Sequence, residues 1–513
     1  MTERFAVLLG DAFSLDEQGY FGRAFANRSL LKALFLSEQV EYVLTTTPAK
    51  FFLPLELPEP VRRKLVTLQS LPELVAAVGR YCNGAIFCSD FVAGYPDWVD
   101  FRNRQRLDWP VFGWTHSLSY QRYTAALYRI LTAGATARDG IICTSPSAVA
   151  VVSKLLGMVV ATLKAVPAGP SLFLLPLAYE APEATPTIGK PEQPFQVLSL
   201  GRLDWQTKAD LLVLAAIIRE LPASSGIRFV VAGAGDNQSY VKLLQQLLVP
   251  LGVEVLVAVD EKQKAQLYRD SHVLFLPSDN YQETFGLALL ESKHYGCVPV
   301  VADFDGFRSL VTNDVDGILL PTVAAAIPEE LFRVQTIVSE AVYHGWWAAG
   351  VSIDPRQAAM QIRRLADDRS LWRQMSAAAR VSVTDYTPLK IGQRLGELLA
   401  EQVPAVPFAP APSTESYPGH WNFLDLFAGH PTAVWDDQVV GLTPAGEQFL
   451  NTPWLLPQQA LLMKSVDSTA VNEFLRLVRT GVAVGECLRA GINPIVPSLA
   501  LKNGLIYLNE GSL

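Results

Sequence analysis

The sequence predicts an α/β chain: two domains in tandem, each with its own parallel sheet, then a small domain of different character. Three observations carry this. Over about the first 400 residues, short apolar runs of strand length alternate with stretches of helical period, the mark of buried parallel strands joined by crossover helices. The segment Glu180 to Pro194, rich in Pro, Glu and Thr, interrupts the alternation and reads as a linker. A second Pro-rich stretch, with Pro404, Pro407, Pro410 and Pro412, ends it.

The elements follow in order. Phe5–Leu9 reads as an opening buried strand, and Leu30–Leu36 carries a helical pattern. Gly84–Cys88 and Gly140–Cys143 are further short apolar runs. After the linker come a strand at Val197–Leu200, a helix at Lys208–Glu220 and a strand at Arg228–Ala232. Val253–Val257, His272–Leu276 and Val298–Ala302 continue the strand series, with a helix expected over Thr284–Tyr295. Residues 370–402 read as helical. The expected divisions are 1–180, 195–385, a helix over 386–402, a Pro-rich linker over 403–416 and a domain over 417–513. In the last of these, Asn472–Arg479 and Gly485–Ala490 read as helices. Leu499–Leu501, a Lys-Asn-Gly turn and Leu505–Leu508 read as helix, turn and strand, an order that a winged-helix-like unit could have.

Composition narrows the function classes. Half of the 513 residues are hydrophobic and 18% are charged, which supports several cores. The net charge of −8, and −3 from Tyr417 onward, argues against a nucleic-acid partner. The five cysteines (Cys82, Cys88, Cys143, Cys297, Cys487) form neither a zinc spacing nor a disulfide framework, so a reducing cytoplasm is expected. The longest apolar stretch, Gly157 to Ala178, holds Lys164 and three prolines, a poor spanning helix. The start, MTERFAVLLGD, lacks a basic region followed by a long apolar core, so no signal peptide is expected.

The chemistry-bearing residues concentrate in the second domain. Arg202 and Lys208 follow the strand Val197–Leu200 at its carboxyl end, where ligands of α/β sheets bind, and two cations there could neutralise a diphosphate. Gly233 and Gly235 follow the next strand, where small residues let a ligand ring approach the backbone. Glu283 and Glu291, seven residues between them, lie near the mouth of the expected helix and two turns in, a span of about 12 Å. Two carboxylates so placed could hold hydroxyls at both ends of an elongated ligand. The helix start, Thr284-Phe285-Gly286, would offer backbone N–H groups and a positive dipole end to a phosphate between them. Taken singly, each feature is commonly a surface charge or a tight turn. Their order along the chain is what distinguishes them.

That order resembles glycosyltransferase family 4, retaining enzymes of the GT-B fold. The matching pieces are LSLGRLDWQTKADLL, VVAGAGDN, VLFLPSDNYQETFGLALLESKHYGCVPVVADFDGF and DVDGILLP, about 120 residues in all. In the first domain, GYFGRAFANRSLLKAL resembles the family's glycine-containing first loop, with Gly22 against the donor phosphates, and WTHSLSY places His116 near the donor sugar. The resemblance implies two Rossmann-like domains facing a cleft, with a helix near Leu389–Leu399 crossing back to the first. It implies transfer of a sugar from a UDP-, GDP- or ADP-sugar to an acceptor with retention at the anomeric carbon. Arg202 and Lys208 would stabilise the departing diphosphate, Glu283 would bind sugar hydroxyls and Glu291 the ribose. No cofactor and no metal ligands are expected, and the acceptor (glycan, lipid carrier, small molecule or protein) stays open. A lipid acceptor would place the chain at the inner face of a membrane.

Two departures stand out. Asp303-Phe304-Asp305-Gly306-Phe307-Arg308-Ser309 replaces the family's Gly-Gly-x-Pro-Glu run close to the donor sugar. An insert from about Val323 to Gly350, with Tyr343, Trp346 and Trp347, could cover the cleft, contact a lipid or simply pack. A nucleotide-sugar epimerase, a glycogen- or sucrose-synthase-like enzyme and a degenerate binding subunit are the competing readings. The C-terminal domain reads as an accessory module that packs or dimerises, or as one that recognises a protein acceptor.

Overall fold

The computed structural model describes the chain except residues 1–3, 12, 14, 16–20, 82, 164–168, 183–188, 326–332, 335, 404–434, 436–437, 457–466 and 509–513. The proline stretch after Val403 and the centre of the first linker, as well as parts of the first loop and the insert, lie outside the described residues.

The first sheet comprises β1 (Phe5–Leu9), β2 (Val40–Thr45), β3 (Leu65–Thr67), β4 (Gly84–Cys88), β5 (Val111–Trp114), β6 (Gly140–Cys143) and β7 (Ser171–Leu174), in the order β3-β2-β1-β4-β5-β6-β7. From β1 to β7 the neighbours run parallel. Every residue of β1, β4, β5 and β6 is buried, which is why these strands read as unbroken apolar runs rather than alternating ones.

The second sheet comprises β8 (Phe195–Leu200), β9 (Ile227–Gly233), β10 (Glu254–Val257), β11 (Val273–Leu276), β12 (Val298–Ala302) and β13 (Ile318–Leu320). All its neighbours are parallel, in the order β10-β9-β8-β11-β12-β13. The order reverses between β8 and β11, and the crevice beyond their carboxyl ends is where such sheets take ligands. Phe195, Phe229, Phe275, Val300, Ile362 and Trp372 fill its core. The two expected Rossmann-like α/β domains are therefore present. A short antiparallel pair, β14 (Thr322–Ala324) with β15 (Val351–Ile353), carries the insert between its strands.

The helices include α1 (Phe21–Leu36), α2 (Leu287–His294), α3 (Glu340–Ala349) and α4 (Pro388–Gln402). The helix expected over Lys208–Glu220 begins only at Val213. The side chains of Asp204 and Asp210 accept from the backbone N–H groups of Gln206 and Leu212, holding this stretch in turns. Likewise α2 starts at Leu287 and not at Thr284, because its N-cap Gly286 is left-handed (φ 105°). Glu291 is therefore just over one turn into the helix.

Helix α4 returns to α1. Gly392 lies so close to it that a Cβ there would stand 2.5 Å from the Ala33 carbonyl oxygen. Just before α4, the Tyr386 carbonyl accepts from the Tyr179 N–H at 2.7 Å, so the two chain crossings between the sheets run side by side.

By internal contacts the chain divides into two compact units, one of residues 1–43, 50–64 and 83–414, the other of residues 44–49, 65–82 and 415–513. The second unit thus draws on two N-terminal stretches besides the expected C-terminal residues. Among the described residues, its C-terminal part holds β16 (Val440–Leu442), four helices and β17 (Ile506–Leu508). In the helix Ser468–Arg479, Val471, Phe474, Leu475 and Val478 are buried at one-face spacing, and Asp467 caps it through the Ala470 N–H. β16 pairs antiparallel with β17, so this sheet joins the two ends of the segment and is not a consecutive hairpin.

Candidate functional site

A recess opens at the carboxyl ends of β8 and β11. Gly201 and Arg202 line it from the end of β8, Lys208 from the turns that follow, and Ser278 and Glu283 from the segment after β11. Three residues singled out from sequence therefore meet at one place: Arg202, Lys208 and Glu283. Lys208 Nζ lies 2.7 Å from Glu283 Oε2, so one of the two cations is partly neutralised by the carboxylate that closes the recess. Ser278 is 5% exposed, and its hydroxyl has no partner among the described residues. A buried orphan hydroxyl lining a recess is a group available to a ligand. Sequence reasoning missed it, because a serine in a loop carries no signal until its burial is known. The same holds for Asp279, whose Oδ2 accepts from the Asp210 N–H at 3.2 Å while Oδ1 is unpartnered. Burial, then the Asp210 charge, pushes its carboxyl up to about 7.

Glu291 faces away from Glu283 in its bonding. Its carboxylate accepts from Lys264 Nζ at 2.7 Å and from the Tyr268 hydroxyl at 3.1 Å. Burial works against the Lys264 charge, yet the Glu291 and Glu261 carboxylates outweigh it and raise its pKa.

The residues before α2 are engaged by the protein itself. Thr284 Oγ1 donates to the His116 carbonyl at 2.9 Å, its N–H is taken by the Gln282 carbonyl, and Phe285 is buried. So the Thr284 N–H, one of those expected at the helix start, is already satisfied within the protein. Gly233 and Gly235 also have packing reasons. A Cβ at Gly233 would stand 1.6 Å from the Gly201 carbonyl oxygen, and one at Gly235 2.5 Å from Val257 Cγ1. Gly22 is the second residue of α1.

His116 follows β5, and its ring N–H at Nε2 donates to the Ser89 carbonyl at 2.9 Å. Burial lowers its pKa, Arg23 adds to this, and Asp90 opposes it, so the ring is neutral at pH 7. Arg23 itself is ion-paired with Asp90. His116 meets the second domain through its backbone and Thr284.

The insert closes a further set of contacts between the two sheets' loops. On α3, His344 Nε2–H donates to the Ser119 carbonyl at 3.1 Å, and its Nδ1 accepts from Gln282 Nε2 at 2.7 Å. Gln282 Oε1 accepts in turn from the Tyr120 hydroxyl at 3.2 Å. These bonds fix the ring as the Nε2–H tautomer, with Gln282 one residue from Glu283.

Residues 181–334 match the family model of glycosyl transferases group 1. A D-inositol 3-phosphate glycosyltransferase of Xylanimonas cellulosilytica is 34% identical over 138 residues, 26% of this chain and 32% of that protein. A phosphatidyl-myo-inositol mannosyltransferase of Mycobacterium tuberculosis is 29% identical over 151 residues, 28% of this chain and 39% of that protein. The chain thus matches about a third of the length of these curated relatives. Among solved structures, Anabaena Alr3699/HepE in complex with UDP aligns over 78% of this chain and 100% of that one, at 14% identity and a TM-score of 0.49. Residues 181–334, which hold Arg202, Lys208, Glu283 and Glu291, are thus similar to the glycosyl transferases group 1 family.

Proposed function

We propose that the chain is a glycosyltransferase that moves a sugar from a nucleotide-sugar donor to an acceptor hydroxyl with retention at the anomeric carbon. The observation that carries this is the convergence of Arg202, Lys208 and Glu283 on one recess at the switch point of the second sheet. The bond from the anomeric carbon to the diphosphate oxygen breaks with its electron pair leaving on the diphosphate. Arg202 and Lys208 offset the charge that develops there, a task that needs no metal ligand. The acceptor oxygen bonds to the anomeric carbon on the face the diphosphate leaves, and its proton passes to the departing phosphate oxygen. Lys208 turns from Glu283 to the diphosphate when the donor enters, which frees the Glu283 carboxylate for sugar hydroxyls. Glu291, positioned by Lys264 and Tyr268, takes the ribose hydroxyls. Neutral His116 lines the sugar side through its position after β5. An inositol-bearing acceptor, named for both relatives, is the first class to test.

The test is a thermal-shift and donor-hydrolysis screen across UDP-, GDP- and ADP-sugars, with and without a chelator. One donor should raise the unfolding midpoint by mass action, and Arg202→Ala and Lys208→Ala should each abolish that rise. Binding without hydrolysis or transfer would make the chain a donor-binding subunit. No rise with any donor would refute the proposal.

A further inference from the structure

Glu283 stands between two residues that are each bonded to the first domain. On one side, the Gln282 carbonyl accepts from Ser117 Oγ at 3.3 Å, and the Gln282 side-chain oxygen accepts from the Tyr120 hydroxyl at 3.2 Å. On the other, Thr284 Oγ1 donates to the His116 carbonyl at 2.9 Å. The segment 116–120 therefore grips the chain on both sides of a carboxylate that lines the recess.

The insert completes the grip. His344, on α3, is 3% exposed, and both of its ring nitrogens are used. Its Nε2–H donates to the Ser119 carbonyl at 3.1 Å, which leaves Nδ1 to accept from Gln282 Nε2 at 2.7 Å. The ring thus dictates which way the Gln282 amide points, NH2 toward His344 and oxygen toward Tyr120. The Tyr120 hydroxyl can donate or accept, so without the ring it would tolerate the amide either way round. The next residue, Gly345, packs so closely that a Cβ there would stand 3.0 Å from the ring of Trp205, which lies between Arg202 and Lys208 in the chain. Trp347 meets the Tyr281 ring edge-on, with 6.0 Å between centroids. So α3 lies against the segment that carries Lys208, the segment that carries Glu283 and the first-domain segment that follows His116. The Lys208–Glu283 ion pair joins the first two of these. Packing alone would be served by an apolar side chain at 344. A buried ring with two directed bonds sets an orientation as well.

We propose that α3 is a strap that ties these three segments together, and that His344 is a positioning residue that holds Glu283, through Gln282, where the donor sugar meets it. The inference rests on the glycosyltransferase reading above. Nucleotide binding in that reading rests on Arg202 and Glu291, which the strap does not bond. Loosening Glu283 should therefore slow the chemical step and leave nucleotide affinity in place.

The experiment compares wild type, His344→Phe, His344→Gln and Ala348→Gly, each as the full chain, in donor hydrolysis and in nucleotide binding. If the screen identifies UDP as the nucleotide, the probes are UDP-glucose and UDP, and otherwise the matching pair on the identified nucleotide. Phenylalanine keeps a ring in the buried place and removes both nitrogens. Glutamine restores a donor and an acceptor side by side. Ala348→Gly loosens the helix and touches neither bond. His344→Phe should lower kcat by about tenfold or more, with nucleotide affinity within about twofold of wild type. His344→Gln should recover most of that loss, and Ala348→Gly should keep about half of wild-type kcat or more. If His344→Phe does not fold, Tyr120→Phe, which removes the hydroxyl bonded to the same amide, should show the same split between kcat and affinity. An unchanged kcat, an equal loss in Ala348→Gly, or a nucleotide affinity that falls along with kcat would overturn this inference alone. A wild type that binds no nucleotide sugar would overturn both it and the reading on which it rests.

Discussion

Replacing Asp279 by asparagine should stabilise the protein in a way that depends on pH. Asp279 is 8% exposed, and its folded pKa is about 7 against an ordinary 3.8. Between those values the folded state holds a proton that the unfolded state has released. Stability from this group is thus present at low pH and is lost as pH rises toward the folded pKa. Linkage puts the cost at about 2 kcal/mol at pH 5 and about 4 kcal/mol at pH 8. The asparagine side chain does not titrate and avoids the cost at both. Its carbonyl oxygen can keep the acceptor role toward the Asp210 N–H, and its NH2 group replaces the orphaned Oδ1 beside the Asp210 carboxylate. Urea unfolding of both proteins, followed by tryptophan fluorescence, should therefore show the variant's advantage growing by about 2–3 kcal/mol from pH 5 to pH 8. Every other titrating group cancels in that double difference. An advantage equal at the two pH values, or a variant less stable at pH 8, would refute the assignment of this cost to the Asp279 charge.

Three further outcomes follow from the packing and the bonds. Glu291→Ala removes the acceptor of Lys264 and of the fully buried Tyr268, and should lower stability by about 1–3 kcal/mol in denaturant titration while weakening donor binding roughly tenfold. Gly392→Leu should cost about 1–3 kcal/mol by driving a side chain into the Ala33 carbonyl, whereas Gly157→Ala, mid-helix with nothing within 4 Å of its Cβ, should gain about 0.5–1 kcal/mol. Equal effects at the two glycines would contradict the packing of α4 on α1. His344→Ala removes the side chain that bridges Gln282 and Ser119, so amide exchange across residues 340–349 should quicken by about tenfold or more. Unchanged exchange would mean that α3 is held by its aromatic contacts alone.

The parts of the fold legible in the sequence are those whose environment is uniform. Phe5–Leu9 and Val298–Ala302 are buried at every position, so apolar residues fill them end to end and their bounds can be read to the residue. Helix starts are less legible. Lys208–Leu212 is held in turns by the side chain of Asp210 and by that of Asp279, 69 residues later in the chain, which accepts from the Asp210 N–H. No local period encodes that. β16 is three residues long and exists through its pairing with β17, some 65 residues later in the chain. At the site, Arg202, Lys208 and Glu283 can be picked out because their charge follows strand ends. Ser278 and Asp279 cannot, because what sets them apart is a buried oxygen without a partner among the described residues, a property of the folded chain. The glycines illustrate the opposite error: Gly233 and Gly235 are small because the Gly201 carbonyl and Val257 stand against them.

The bond from Tyr179 to Tyr386 has a mechanical consequence. The polypeptide passes between the two sheets twice, once on leaving β7 for β8 and once on entering α4, and this backbone hydrogen bond ties the passages at one point. Two strands tied side by side act as a hinge line. The domains can swing about it, but they cannot slide without breaking the tie. The α1–α4 packing clamps one leaf, since α4 belongs by chain order to the second domain's end and by contact to the first. Any relative motion of the two sheets is then expected as a rotation about this tie, with the residues most distant from Tyr179 and Tyr386 swinging furthest.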